Sequence, residues 1–231
     1  MRHDISALVA ALGVTFQNED LLHQALVHRS FLNENREFDL EQNERLEFLG
    51  DAVLELVITE HLYQNYTDPE GDLTNWRASL VNAVMLNSLA IDLGVDKCLY
   101  LSRGEQKEPH TKSKHSILAN AMEAIIGALY LDQGYDAAKE LIERILIVKL
   151  PYILEHKLYM DAKSRLQETA QEKLGITPHY QMLSESGPDH DKTFVVGVFL
   201  GKGKLAEGSG RSKQDAQMQA AEQALVAKGW N

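Results

Sequence analysis

Two stretches of the chain carry a helical rhythm of apolar positions strong enough to organise the rest. Between Asn43 and Val57, the residues Leu46, Leu49, Val53, Leu56 and Val57 recur at helical spacing, with no proline to interrupt them. Glu44, Glu47, Asp51 and Glu55 stand three or four apart, so they stack on one stripe of that helix. Stacked like charges destabilise a helix by about 0.2–0.5 kcal/mol per pair, and no Lys or Arg lies on the stripe to offset them. Two readings stand open: a solvated acidic face, or a face that meets a metal ion or a basic group from elsewhere. The second stretch, Ile117–Leu131, is apolar almost all round and therefore predicts a buried helix. Asn120 and Glu123 are its strongly polar side chains, and their i, i+3 spacing points them the same way. An unpaired buried carboxylate costs several kcal/mol, so Glu123 is either protonated, paired with an arginine, or turned toward a cation. Two helices that each direct carboxylates inward fit the oxygen ligation of Mg²⁺ or Mn²⁺. A zinc site has no Cys/His cluster to build on, because Cys98 is the only cysteine.

Around these stretches the pattern predicts mostly helix. Residues 1–31 read as two short helices joined around Gly13–Asn18, with Asn18 as an N-cap. Residues 33–43 form an exposed connection, and the acidic helix ends near Tyr63–Tyr66. After the turn chemistry of Thr67–Asp72, which includes Glu70, helical periodicity resumes over Leu73–Leu93, with Trp76 in the core. Residues 101–115 read as a polar loop carrying Arg103, Lys107, Lys112 and Lys114, with Ser116 capping the second acidic helix. A further helix is expected from Gly134 to about Glu155.

From Asp161 the texture changes. A helix over Ala162–Leu174 stops at Gly175, with Pro178 beyond it. Alternating segments follow at Tyr180–Ser184, Thr193–Leu200 and Gly203–Gly208, and an alanine-rich helix closes the chain from Arg211. The expected organisation is an all-α domain over 1–155, a linker at 156–160, and a small α+β (α-β-β-β-α) domain over 161–231.

Charge sharpens that division. The chain of 231 residues carries a net charge of −11, which is unpromising for a partner with a phosphate backbone. From Lys157 onward, however, ten Lys and Arg stand against nine Asp and Glu, so the acidity belongs to the N-terminal part. One cysteine rules out a disulfide framework and suits a reducing compartment. The N-terminus lacks a basic segment followed by an apolar core, and no run reaches the ~18–20 apolar residues that span a bilayer. The expectation is a cytoplasmic protein with no membrane association.

Residues Asn43–Leu54 resemble the signature of the bacterial ribonuclease III family, and Ser116–Asp132 resemble that family's second acidic motif. The C-terminal α-β-β-β-α order, with Gly208-Ser209-Gly210-Arg211-Ser212-Lys213 entering the last helix, resembles a double-stranded-RNA-binding domain. The resemblance implies a metal-dependent endoribonuclease, using Mg²⁺ with Mn²⁺ as a substitute. It would hydrolyse double-stranded RNA to 5′-phosphate and 3′-hydroxyl ends by staggered cuts from the two sites of a homodimer. Ribosomal-precursor processing and messenger processing or decay are the roles it implies.

Carried over residue by residue, the resemblance implies Asp51 and Glu123 as catalytic and Glu47, Asn120 and Glu123 as metal ligands. Glu44 and Glu70 are further acidic positions, Glu44 with the alternative of holding an arginine across the valley. Phe48 falls at the family's dimer-interface aromatic, with packing inside the chain as the other reading. Ser164, Gln167 and Gln171 fall at the first minor-groove contact, His190 at the second, and Lys213, helped by Arg211, at the phosphate clamp. Two departures stand out. Lys213 is followed by Gln214 and Asp215 where the family often has paired lysines, and Asn120 stands where many relatives have aspartate. A non-catalytic RNA-binding protein, supported only by Asn120, is one rival. A hydrolase of small phosphate esters is the other, disfavoured because a small-molecule substrate needs no duplex grip.

Overall fold

The structure is a computed structural model that describes residues 2–107, 112–188 and 191–230. The chain separates into two compact units, Met1–Tyr152 and Ile153–Asn231.

Among the described residues, the first unit is built from helices: α1 (Ser6–Leu12), α2 (Glu19–Ala25), α3 (Arg29–Glu34), α4 (Glu44–Asn65), α5 (Glu70–Val81), α6 (Ala83–Asp92), α7 (Arg103–Lys107), α8 (Lys112–Gln133) and α9 (Tyr135–Ile145). A tenth, α10 (Leu150–Glu155), runs across the boundary between the units. The expected Asn18 cap is present, its side chain accepting from the Asp20 N–H.

Several boundaries differ from the sequence expectation, each for a local reason. A third helix begins by Arg29 because the His28 ring accepts from the Ser30 N–H and starts it. The stretch 73–93 is not one helix. Asn82 adopts an extended backbone, and its side chain accepts from the Met85 N–H, which ends α5 and caps α6 in one step. Glu70 accordingly opens α5 rather than sitting in a loop. Residues 101–115 contain α7 and the start of α8, so Ser116 lies inside α8 and is not its cap. The helix expected over 134–155 is interrupted: α9 ends at Ile145, a 3₁₀ turn spans Ile147–Lys149, and α10 follows. Pro151 explains the break, because its ring would clash with the carbonyl of Ile147 in a continuous helix but is tolerated in a first turn.

The centre of this unit is the α4–α8 pair. Helix α4 buries Val53, Leu54, Val57, Ile58 and Leu62, and α8 buries Ala121, Met122, Ile125, Ile126 and Leu129. Both helices contain a glycine at the point where they meet. A Cβ added to Gly50 would overlap the backbone carbonyl of Glu123, and one added to Gly127 would overlap the carbonyl of Leu46. Glycine inside a helix costs about 1 kcal/mol relative to alanine. Here it allows the two backbones to touch, which brings the side chains one turn away on each helix to a common place.

The second unit has the order α11 (Ala162–Leu174), β1 (His179–Ser186), β2 (Thr193–Leu200), β3 (Gly203–Gly210) and α12 (Lys213–Lys228). The strands form one antiparallel sheet in the order β1-β2-β3, with Val198 opposite Tyr180 on one side and Ala206 on the other. Leu166 of α11 and Ala220, Ala221, Ala224 and Leu225 of α12 close over Val198 as the core. Asp161 caps α11 by accepting from the N–H groups of Lys163 and Ser164, and Gly175 ends it in the left-handed conformation. Ser212 and Asp215 form a reciprocal capping box at the start of α12. Among the described residues, no helix is long and apolar enough to cross a membrane.

Candidate active site

The α4–α8 crossing gathers Glu47 and Asp51 from one helix and Asn120 and Glu123 from the other. The start of α4 is anchored first. Asn43 is buried, donates from Nδ2 to the Ala25 carbonyl at 3.1 Å and from its N–H to the Val27 carbonyl at 2.9 Å, and its own carbonyl accepts from the Glu47 N–H. That anchor fixes the phase of the helix and with it the direction of Glu47.

Glu47 is half-buried, and its carboxyl is pushed above the usual carboxylate range by that burial. The Asn120 side chain donates to it and partly offsets the effect, while Glu44 and Asp51 add repulsion. Glu123 is more strongly perturbed. Burial, followed by the negative charges of Asp51 and then Glu47, raises its pKa from 4.5 to about 7. Three carboxyl groups thus stand close enough to oppose one another's ionisation, in a place that half-excludes water. Such a group holds a proton near neutrality or gives it up to a cation.

The donor set fits a hard divalent ion: carboxylate oxygens, and an amide whose Nδ2 serves Glu47 while Oδ1 remains an acceptor. Among the described residues, no three Asp, Glu, His or Cys side chains are already drawn into a metal cage.

The other expected acidic residues have further partners. Glu44 is exposed and faces Arg29, with Oε1 and Nη1 3.6 Å apart, and it accepts from Gln42 Nε2 at 3.0 Å. Arg29 comes from the third helix, which the sequence pattern did not resolve. Glu70 does not join the cluster. It accepts from Thr74 Oγ1 at 3.0 Å and lines a cleft of about 500 Å³ with Tyr63, Leu73 and Arg77. Phe48 projects from α4 with 82 % of its surface exposed, which rules out packing within the chain as its explanation. Trp76 is buried, as expected of a core residue.

In the second unit, Ser164, Gln167 and Gln171 share one stripe of α11 at i, i+3 and i+7 spacing. Ser164 Oγ donates to Asp161 at 3.0 Å, Gln171 accepts from Thr177 Oγ1 at 3.2 Å, and Gln167 is exposed between them. Lys213 opens α12 as an exposed cation whose Nζ stands 6.0 Å from the Phe194 ring centroid, and Arg211 is exposed two residues before it. His190 lies outside the described residues. Asp215, noted in the sequence as a departure from paired lysines, has a definite task in the capping box.

Sequence reasoning missed Gly50 and Gly127. The signal was available, since a glycine three residues after Glu47 and another four after Glu123 sit inside otherwise well-formed helices. It also missed Arg29 and Asn43 as the groups that hold Glu44 and the helix start.

Comparison with known proteins shows the family. Residues 18–150 match the family described as Ribonuclease-III-like, and residues 162–226 match the double-stranded RNA binding motif. The chain is 44 % identical to Ribonuclease 3 of Pelotomaculum thermopropionicum over 223 residues, covering 96 % of this chain and 92 % of the relative. It is 45 % identical to Ribonuclease 3 of Desulforamulus reducens over 220 residues, covering 94 % and 89 %. Among solved structures, it is similar to the nuclease domain of ribonuclease III from Campylobacter jejuni, described for flexibility in its dimer-forming region. That similarity has a TM-score of 0.56 and 37 % identity, and covers 64 % of this chain and 99 % of the other. The helical unit with its carboxylate cluster, the α-β-β-β-α unit and these full-length relatives place the chain in the ribonuclease III family of double-stranded-RNA endoribonucleases.

Proposed function

We propose that the cluster at the α4–α8 crossing is the hydrolytic centre, with Glu47, Asn120 and Glu123 as ligands of Mg²⁺, for which Mn²⁺ can substitute. The observation that carries this reading is the raised pKa of Glu123, a carboxyl held among two others where only a proton or a cation can neutralise it. A bound divalent ion supplies acidification of water and stabilisation of negative charge on the phosphate. The chain's own residues do the rest. Asp51, which is exposed, orients the attacking water, whose proton passes to solvent as its oxygen bonds to phosphorus, while the ionised Glu123 would hold the metal. The P–O3′ bond breaks, the 3′ oxygen takes a proton, and the products carry a 5′-phosphate and a 3′-hydroxyl. Asn120 contributes no negative charge, so metal affinity is lower than an aspartate at this position would give.

Residues 1–155 are assigned to cleavage and 161–231 to duplex grip, joined by 156–160. A-form RNA offers a shallow minor groove lined with 2′-hydroxyls for the Ser164/Gln167/Gln171 stripe, and phosphates for Lys213 and Arg211; the resemblance adds His190 as a second minor-groove contact. The working form is a homodimer. Phe48 and Leu131, 82 % and 55 % exposed, border a cleft of about 660 Å³ that also includes Leu21, Leu46 and Leu49. Apolar groups in that quantity at one place suit a second copy of the chain. The setting is the cytoplasm and the substrates are structured precursor and messenger RNAs.

The test is incubation of a long perfect RNA duplex with Mg²⁺ or with EDTA, followed by denaturing electrophoresis and analysis of the ends. Metal-dependent shortening to 5′-phosphorylated products supports the proposal. A duplex left intact at every Mg²⁺ and Mn²⁺ concentration refutes it.

A further inference from the structure

Four of the positions read as RNA-facing, Ser164, Gln167, Gln171 and Lys213, come from two helices, and one side chain joins those helices. Lys163 is half-buried at the start of α11. Its Nζ donates to Gln217 Oε1 of α12 at 2.7 Å and stands 5.2 Å from the centroid of the Tyr180 ring of β1. Tyr180 contributes only its ring, since its buried hydroxyl has no hydrogen-bond partner among the described residues. Helical spacing gives this contact its meaning. Lys163 lies four residues before Gln167, and Gln217 lies four residues after Lys213, so each partner sits one turn from an RNA-facing residue on its own helix. The bond spans the seam between the minor-groove stripe and the phosphate clamp.

We propose that Lys163 is a positioning residue for duplex recognition: with Gln217 and the Tyr180 ring it sets the spacing between the α11 stripe and Lys213, and it does not itself bind phosphate. This rests on the reading of those two surfaces as the RNA face. The chemistry supports a structural use of the ammonium. It is engaged by an amide oxygen at close range and lies over an aromatic face, and both interactions favour a cation held in one place. A-form duplexes present minor groove and phosphates at fixed separation, so a grip made from two helices depends on their mutual placement.

The test is the affinity of the full-length chain for a perfect RNA duplex of roughly 20 base pairs, long enough to span such a domain. Fluorescence anisotropy is read in EDTA, which prevents cleavage, over a series of salt concentrations. Lys163→Ala and Gln217→Ala are each expected to weaken binding about tenfold, as the loss of one charge-assisted hydrogen bond implies. Both leave the salt slope unchanged, and the double variant is no weaker than the weaker single one. Lys163→Arg keeps both contacts and the affinity. The swap of Lys163→Gln with Gln217→Lys, which exchanges donor and acceptor, restores most of it. Lys213→Ala is the phosphate reference and reduces the salt slope by about one.

A silent Gln217→Ala, a slope lowered by Lys163→Ala, or a swap as weak as the double variant overturns the proposal. Melting curves run alongside separate lost affinity from lost folding, and a variant whose affinity loss is matched by unfolding at the assay temperature counts against positioning. Normal binding and slope in Lys213→Ala would overturn the RNA-face reading itself, a different failure from any of these.

Discussion

Replacing Glu123 by glutamine is expected to stabilise the metal-free nuclease unit at neutral and alkaline pH while abolishing its activity. In the unfolded chain this carboxyl titrates near 4.5, and in the folded protein near 7. A group whose folded pKa is the higher binds its proton more tightly in the native state, so native stability falls as pH rises from 4.5 through 7. Below that window both states are protonated and the group costs nothing. Above it both are ionised and the full penalty is present. The interval corresponds to about 3 kcal/mol at 1.36 kcal/mol per pH unit. Because the side chain is only half-buried, solvent screening reduces this to about 1–2 kcal/mol. Glutamine keeps the shape and removes the charge.

For a unit of this size, that difference is a rise in Tm of roughly 2–8 °C. The assay is thermal unfolding in EDTA at pH 5, 6, 7 and 8. The gain of Glu123→Gln over wild type is expected to be near zero at pH 5 and to grow to its full value by pH 8. Adding Mg²⁺ is expected to raise the wild-type Tm and to close the gap, because binding to the native state alone stabilises it. A variant less stable than wild type at pH 8 in EDTA, or a difference independent of pH, would refute the account of this carboxyl.

Three further predictions concern the framework around the site. Gly50→Ala puts a methyl group into the Glu123 carbonyl, so α4 and α8 must separate; a loss of about 3 kcal/mol or more in chemical denaturation is expected, together with loss of cleavage. Asn120→Asp adds a carboxylate to the cluster and is expected to lower the Mg²⁺ concentration for half-maximal cleavage, read from a metal titration; an unchanged midpoint would remove Asn120 from the ligand set. Ser212→Ala breaks the capping box of α12 and is expected to cost the C-terminal unit about 1 kcal/mol in urea unfolding, with the nuclease transition unaffected.

Much of this architecture is legible in the sequence because apolar spacing is a direct consequence of burial. The mostly apolar Ile117–Leu131 segment lies in the buried helix α8, and the Glu47/Asp51 and Asn120/Glu123 pairs meet where stripes of opposite helices meet. In the C-terminal unit, α11 stops at Gly175 as its residues dictate. What the pattern did not reveal depends on contacts between residues far apart in sequence. The stripe of Glu44, Glu47, Asp51 and Glu55 reads as one unit, yet Glu44 also faces Arg29 and Asn120 engages Glu47. The break at Asn82 was invisible to periodicity, since α5 and α6 keep similar rhythms on either side of a side-chain cap. Pro151, by contrast, was a readable stop inside the stretch expected to be helical, and backbone sterics settle it. Lys163 and Gln217 are fifty-four residues apart, and nothing local to either suggests the other.

The central claim is that one cluster performs the chemistry while a separate unit holds the duplex. It is tested most directly by measuring single-turnover cleavage in Mg²⁺ and duplex affinity in EDTA on the same preparation of Glu123→Gln. The expected cleavage rate is lower by about 10³-fold or more, as when a metal-binding carboxylate is lost, with affinity within about twofold of wild type. Cleavage at the wild-type rate, or affinity that falls in step with cleavage, would contradict the claim.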